Sequence, residues 1–167
     1  MPDDLRARLD RVEARLSELE AGGTGPAPAE TPDAERFWAL HRLKELLREP
    51  GGVLFTGSVT VGDGEHYEWQ EGRLLADLVE RDWSEFATTL SALAHPVRLA
   101  LLLEVVRGRR TAAELGADER FGTSGQLYHH LRQLVAAGWL KSTGRGRYAV
   151  PRERVVPLLV IVMGADR

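Results

Sequence analysis

The sequence predicts a mainly α-helical fold with small β-hairpins, and three observations support it. Asp82–Glu85, Thr111–Glu114 and Thr123–Gln126 each have the capping-box pattern, in which a short polar side chain and an acid or amide three residues on satisfy each other's backbone N–H groups at a helix start. Two pairs of alternating runs flank turn-forming stretches, Gly62-Asp63-Gly64-Glu65 and Gly144-Arg145-Gly146, as hairpins do. Between these signals, apolar residues recur at three- and four-residue spacing, the period of a helix with one buried stripe.

Composition bounds what such a fold can do. A chain of 167 residues with 43% hydrophobic content can bury a core, as one domain or a small domain with appendages. It contains no cysteine, which excludes disulfides, thiolate metal sites, cysteine nucleophiles and thiol redox switches. The opening MPDDLRARLD is acidic and lacks the basic and apolar regions of a secretion signal, and no apolar run reaches the roughly 20 residues of a membrane span. A soluble, cytoplasmic protein without a membrane partner is expected.

Taken in order, Leu5, Leu9, Val12, Leu16 and Leu19 alternate spacings of four and three, the seam of a short coiled coil over residues 1–20. An amphipathic helix packed on its own domain is the alternative. Residues 21–32, AGGTGPAPAETP, lack any large apolar side chain and read as a flexible linker. In an accessory region over 33–81, Phe37, Leu40, Leu43 and Leu47 form a helical stripe ended by Pro50-Gly51-Gly52. Strands Val53–Val61 and His66–Gln70 follow; Val53, Phe55, Val59 and Val61 share a face of the first, and Tyr67 and Trp69 share a face of the second. Something must cover that apolar side.

From Asp82 a helix carries Phe86, Leu90, Leu93 and Ala94, and His95-Pro96 stops it and starts the next, since proline suits a first helical turn. The helix from Pro96 to about Arg107 buries Val97, Leu101 and Val105 and ends at Gly108. A short helix opens at Thr111 and a longer one at Thr123, with Gly138 as its terminating residue. Strands Trp139–Thr143 and Arg147–Val150 close the series. Helices followed by a hairpin are the order of a winged helix-turn-helix, here over 82–151. In the final segment, 152–167, Val155–Met163 is the most apolar stretch; Pro157 and the β-branched residues leave helix and strand both open.

A net charge of -3 looks wrong for a nucleic-acid binder until it is divided. Residues 90–150 hold nine Lys or Arg against four acids, a balance of +5, so the remainder carries -8. A helix that reads DNA buries one stripe and offers polar groups from its first turns to base edges in the major groove. In TSGQLYHHLRQLVAAGWL the buried stripe is Leu127, Leu131 and Leu134. The DNA-binding candidates are therefore Thr123, Ser124, Gly125, Gln126, Tyr128, His129 and Arg132, joined by Lys141, Arg145 and Arg147 on the wing. Gln126 has the groups for bidentate pairing with adenine, Gly125 allows close approach, and wing arginines suit the negative minor groove. An ordinary solvated hairpin is the alternative for the wing, and Arg107, Arg109 and Arg110 equally suit a helix dipole.

No metal site or cofactor is expected. His129 and His130, adjacent on a helix, point about 100° apart and form no chelating face, so His130 reads as a packed residue and His129 as DNA-facing or solvated. His95 reads as a cap or turn residue, and His41 and His66 are isolated in sequence. No phosphate loop, nucleophile elbow, HExxH or carboxylate pair appears, so no enzyme is expected. An effector is conceivable between Trp38, Phe55, Tyr67 and Trp69, although these aromatics fall on faces expected to be core.

Two segments, LSALAHPVRLALLLEV (90–105) and LYHHLRQLVAAGWL (127–140), resemble the ArsR-type winged-helix repressor family; the resemblance covers about residues 83–150. It implies a homodimer paired through the helix at Asp82–Leu93 and the C-terminal segment, with Phe86, Leu90, Leu158 and Leu159 at the contact. Two readers would then sit roughly 34 Å apart on a palindromic operator of double-stranded DNA. It also implies a transcriptional regulator, more often a repressor, while cysteine-based metal sensing has no counterpart here. The rival reading is a protein-interaction module that uses the winged helix and coiled coil as scaffold.

Overall fold

The computed structural model describes residues 36–62 and 64–166. The coiled-coil seam Leu5, Leu9, Val12, Leu16 and Leu19 and the linker 21–32 lie outside the described residues. The chain divides between Arg48 and Glu49 into two compact parts, so the region 33–81 is shared between them. In the first part, helix α1 spans Trp38–Leu46, with Lys44 in its last turn, where the carbonyl ends favour a cation. Extended backbone at Leu47 ends it just before the proline and glycines that mark the stop.

The second part begins with a hairpin of β1 (Gly52–Thr60) and β2 (His66–Leu74), antiparallel, with Val59 opposite Tyr67, Gly57 opposite Trp69 and Phe55 opposite Glu71. Phe55, Val59, Tyr67 and Trp69 therefore share one face. Its cover is the C-terminal segment, which is a helix, α7 (Arg152–Ala165). Gly57 leaves the gap that Val156 fills: a Cβ there would lie 2.6 Å from Val156 Cγ1. Proline inside a helix costs about 3 kcal/mol. Burial of Val155, Val156 and Leu158 at about 1.5–3 kcal/mol each offsets that cost for Pro157. The hairpin is also tied to the rest by Gly62 N–H, which donates to Val106 O at 3.1 Å.

A five-residue helix, α2 (Leu75–Val79), follows. The helix expected from Asp82 to Ala94 is instead a 3₁₀ turn, Trp83–Phe86, continued by α3 (Ala87–Ser91). The Asp82 carboxylate accepts from Ser84 N–H at 2.9 Å, and Glu85 turns to Arg81 at 3.5 Å, so the reciprocal capping box does not form and the first turn stays tight. At His95 the expected cap is present: Nδ1 accepts from Val97 N–H at 3.2 Å and Pro96 opens α4 (Pro96–Val106).

Next come α5 (Ala112–Gly116), a 3₁₀ turn at Glu119–Phe121, and α6 (Ser124–Ala136). Thr111 with Glu114 and Thr123 with Gln126 both form complete capping boxes. The wing is β3 (Lys141–Gly144) paired with β4 (Arg147–Ala149), and Thr111 bridges to Arg147 as a third short edge. Trp139 and Leu140, expected in the strand, are core residues whose N–H groups return to Leu134 O at 2.9 and 3.1 Å. The core centres on Leu101, Leu115, Phe121, Leu127, Leu131, Leu134 and Trp139, and Tyr67, Val155 and Leu158 extend it beneath the hairpin. No single helix among the described residues is long and apolar enough to cross a membrane.

Candidate nucleic-acid interface

Helix α6 is fixed from both ends of its sequence logic. Leu127, Leu131 and Leu134 are buried, so Ser124, Gly125, Tyr128, His129 and Arg132 face outward, with Tyr128 at 43% exposure. Its first turn is held by Thr123 Oγ1, which accepts from Gln126 N–H at 3.4 Å, and by Gln126 Oε1, which accepts from Thr123 N–H at 2.9 Å and Thr123 Oγ1 at 3.2 Å. Gly122, at φ +71° and ψ -149°, a region open essentially to glycine alone, lets the amide fold back. The Gln126 carbonyl thus stays on the cap, which leaves its Nε2 hydrogens as the groups not engaged there; bidentate pairing with adenine would need that carbonyl to let go. Gly125 has open space around it, with Thr123 Oγ1 3.9 Å from where a Cβ would stand.

The positive balance of residues 90–150 is partly internal. Glu104, in the buried face of α4, receives Arg109 Nε at 2.9 Å, Arg107 at 3.2 Å and Arg120 at 3.2 Å. Arg120 also binds Asp118 at 2.6 Å. Burial alone would push the Glu104 carboxyl up, but hydrogen bonds from Arg109 and Arg120 and the charges of Arg109 and Arg107 hold it below the usual range. Asp118 is held at about 2, chiefly by the Arg120 hydrogen bond. This cluster joins α4 to the 3₁₀ turn that leads into α6. Arg98 is occupied too, donating to Ala92 O at 2.5 Å and Ser91 O at 2.8 Å, so it caps α3. Arg110 binds Glu65 at 3.2 Å. Arg132, Lys141, Arg145 and Arg147 make no ion pair among the described residues, and they are the cations of α6 and the wing. Arg132 Nε donates to Tyr128 O at 3.2 Å, which lays its side chain along the helix.

On the wing, Lys141 lies opposite Ala149, and Arg147 is two residues from Ala149, so both project from one face. That face lines a cleft of about 430 Å³ shared with Glu65, His66 and Tyr67 of the hairpin and with Arg110 and Arg152. Arg145 sits in the turn at the tip and is exposed. Arg152 escaped sequence reasoning because it follows the wing, and only the docking of α7 returns it to the wing's side. Glu104 escaped as well, although a lone acid among Leu101, Leu102 and Val105 was the available signal.

Of the histidines, His129 is exposed and His130 half-buried, its ring 4.7 Å from that of His95. Burial lowers the His130 pKa, with the neighbouring His95 adding to the shift. No group of three or more ligand side chains among the described residues is arranged to hold a metal ion. Of the four aromatics considered for an effector, Tyr67 is buried in the core. Phe55 and Trp69 line a cavity of about 690 Å³ with Phe86, Leu90 and Trp139. Trp38 belongs to the first part of the chain.

Residues 93–142 match a family model described as a helix-turn-helix domain, from just after α3 through α6 into the wing. The match supports a helix-turn-helix family of the DNA-binding kind over that segment and does not single out the ArsR type. Neither the curated proteins nor the solved structures contain a match to this chain.

Proposed function

We propose that this chain is a dimeric, sequence-specific transcriptional regulator of the ArsR-like kind that reads duplex DNA with α6 and its wing and represses by occupying a palindromic operator. The observation that carries the reading is the outward face of α6. Its first turn is locked by a complete capping box, its opposite face is buried through three leucines, and the cations beside it have no ion-pair partner among the described residues. Phosphate contacts from Arg132 and Arg145 would set register, and Ser124, Gln126 and Tyr128 would meet base edges.

Leu158, expected at the dimer contact, is 3% exposed and serves the chain's own core. The apolar surface left for a second copy is Leu90, at 51% exposure, with Ile161, Val162 and Met163 of α7. Selection of bound duplexes from a random pool tests the reading. The expected winner is an imperfect palindrome with half-sites about 10–10.5 base pairs apart, or a multiple of that. A pool that yields no enriched sequence at low salt refutes it.

A protein-interaction module is the second reading. It is favoured by an apolar groove between α4 and α7 lined by Leu99, Leu102, Leu103, Leu158, Leu159 and Val162. Absence of duplex binding at low salt selects it over the first.

A further inference from the structure

We propose that the cleft between the β1–β2 turn and the wing is a phosphate-binding site formed by Lys141, Arg147 and Arg152. The three cations come from β3, β4 and α7 and converge on one concavity of about 430 Å³. None makes an ion pair among the described residues. A fourth cation, Arg110, lines the same cleft and binds Glu65, the one carboxylate lining it among the described residues, which also accepts from the Tyr67 hydroxyl. His66 is occupied by Ser58 Oγ at 3.2 Å and Thr60 Oγ1 at 3.0 Å. Among the described residues, four cations thus line the cleft with one acid.

Like charges gathered around a concavity raise each other's energy, and an anion seated among them removes that cost. Phosphate suits the arrangement because its oxygens accept several charge-assisted bonds at once, two arginine forks among them. One wall is the Tyr67 ring, with the Arg152 guanidinium 5.7 Å from its centre. The cleft volume falls within the range of small-molecule sites, about 300–1,000 Å³, so it has room for more than bare phosphate. A soluble phosphate compound and the DNA backbone both bring this chemistry. Lys141 and Arg147 belong to the wing, so a soluble occupant would compete with DNA for them.

The test uses the full chain. Inorganic pyrophosphate is titrated by calorimetry at constant ionic strength into the wild type, Arg152→Gln and Arg132→Gln, and each protein is titrated against a labelled duplex at several salt concentrations. Arg152 lies outside α6 and the wing, at the exposed start of α7. Thermal melting verifies that Arg152→Gln folds. Pyrophosphate binding that weakens about tenfold in Arg152→Gln and is unchanged in Arg132→Gln assigns the cleft to a soluble phosphate. No pyrophosphate binding, with duplex affinity reduced and the salt slope smaller by about one in Arg152→Gln, assigns it to the DNA backbone. The proposal is overturned if Arg152→Gln alters neither titration, or if Arg132→Gln weakens pyrophosphate equally. The backbone arm rests on the DNA-binding reading; a wild type that binds no duplex refutes that reading while the pyrophosphate arm still tests the cleft.

Discussion

Substitution of Gln126 by Glu separates the two tasks assigned to this side chain. Its Oε1 closes the capping box with Thr123 at 2.9 Å, and a carboxylate oxygen does the same, so the first turn of α6 survives. A negative charge at the helix N-terminus adds about 0.3–1 kcal/mol of stability. For a chain of this size about 1 kcal/mol moves the melting temperature by roughly 2–4 °C, so Gln126→Glu melts at or slightly above the wild type. The Nε2 hydrogens are lost, however, and a charge repelling phosphate takes their place. Loss of one good base contact costs about 1–3 kcal/mol, roughly 5- to 150-fold in affinity, and repulsion adds to it. Calorimetric melting and fluorescence anisotropy on the selected operator measure the two effects. Operator affinity equal to wild type with an unchanged salt slope would refute the placement of the α6 N-terminus against DNA. A lowered melting temperature would refute the capping geometry.

Other expectations concern the frame behind α6. Glu104→Ala removes the buried acceptor shared by Arg107, Arg109 and Arg120, and loss of these charge-assisted hydrogen bonds is expected to cost about 1.5–3 kcal/mol in urea unfolding. A loss no larger than that of an exposed pair, about 1 kcal/mol or less, contradicts the assigned role. A Cβ at Gly62 would stand 1.9 Å from Arg107 O, so Gly62→Ala displaces the β1–β2 turn. Strain of about 1–3 kcal/mol is expected, read as faster hydrogen exchange across the β1–β2 ladder, and unchanged protection there contradicts it. Acid sensitivity follows from Asp118, whose carboxyl is held at about 2 against an ordinary 3.8. A depressed carboxylate pKa stabilises the fold above the ordinary value, and this contribution fades as pH falls through about 2. Melting temperature should drop across that window and drop less in Arg120→Gln; parallel curves for the two proteins exclude the pair as the cause.

Local chemistry made much of the helix-turn-helix region legible. Capping boxes at Thr111 and Thr123, the His95-Pro96 start and the leucine stripe of α6 depend on residues within a turn or two of one another, and sequence spacing encodes such contacts directly. Asp82 shows the limit even there, because Ser84 competes successfully for the cap two residues on, and the type of helix changes.

The sequence by itself determined the order of helices and wing, the buried stripe of α6 and the residues facing away from it. Only the tertiary structure decided which charges remain available. Arg107, Arg109, Arg110 and Arg120 all count toward the positive balance of residues 90–150, but Glu104 and Asp118 draw in the first, second and fourth, and Glu65 binds Arg110. It also decided that the apolar C-terminal segment is a helix under the β1–β2 hairpin, with Val156 in the gap left by Gly57, and that Arg152 returns to the wing. The physical reason is range. Caps and periodic stripes are satisfied within one element, whereas ion pairing and the cover of an apolar face depend on partners tens of residues away, whose approach no local spacing encodes.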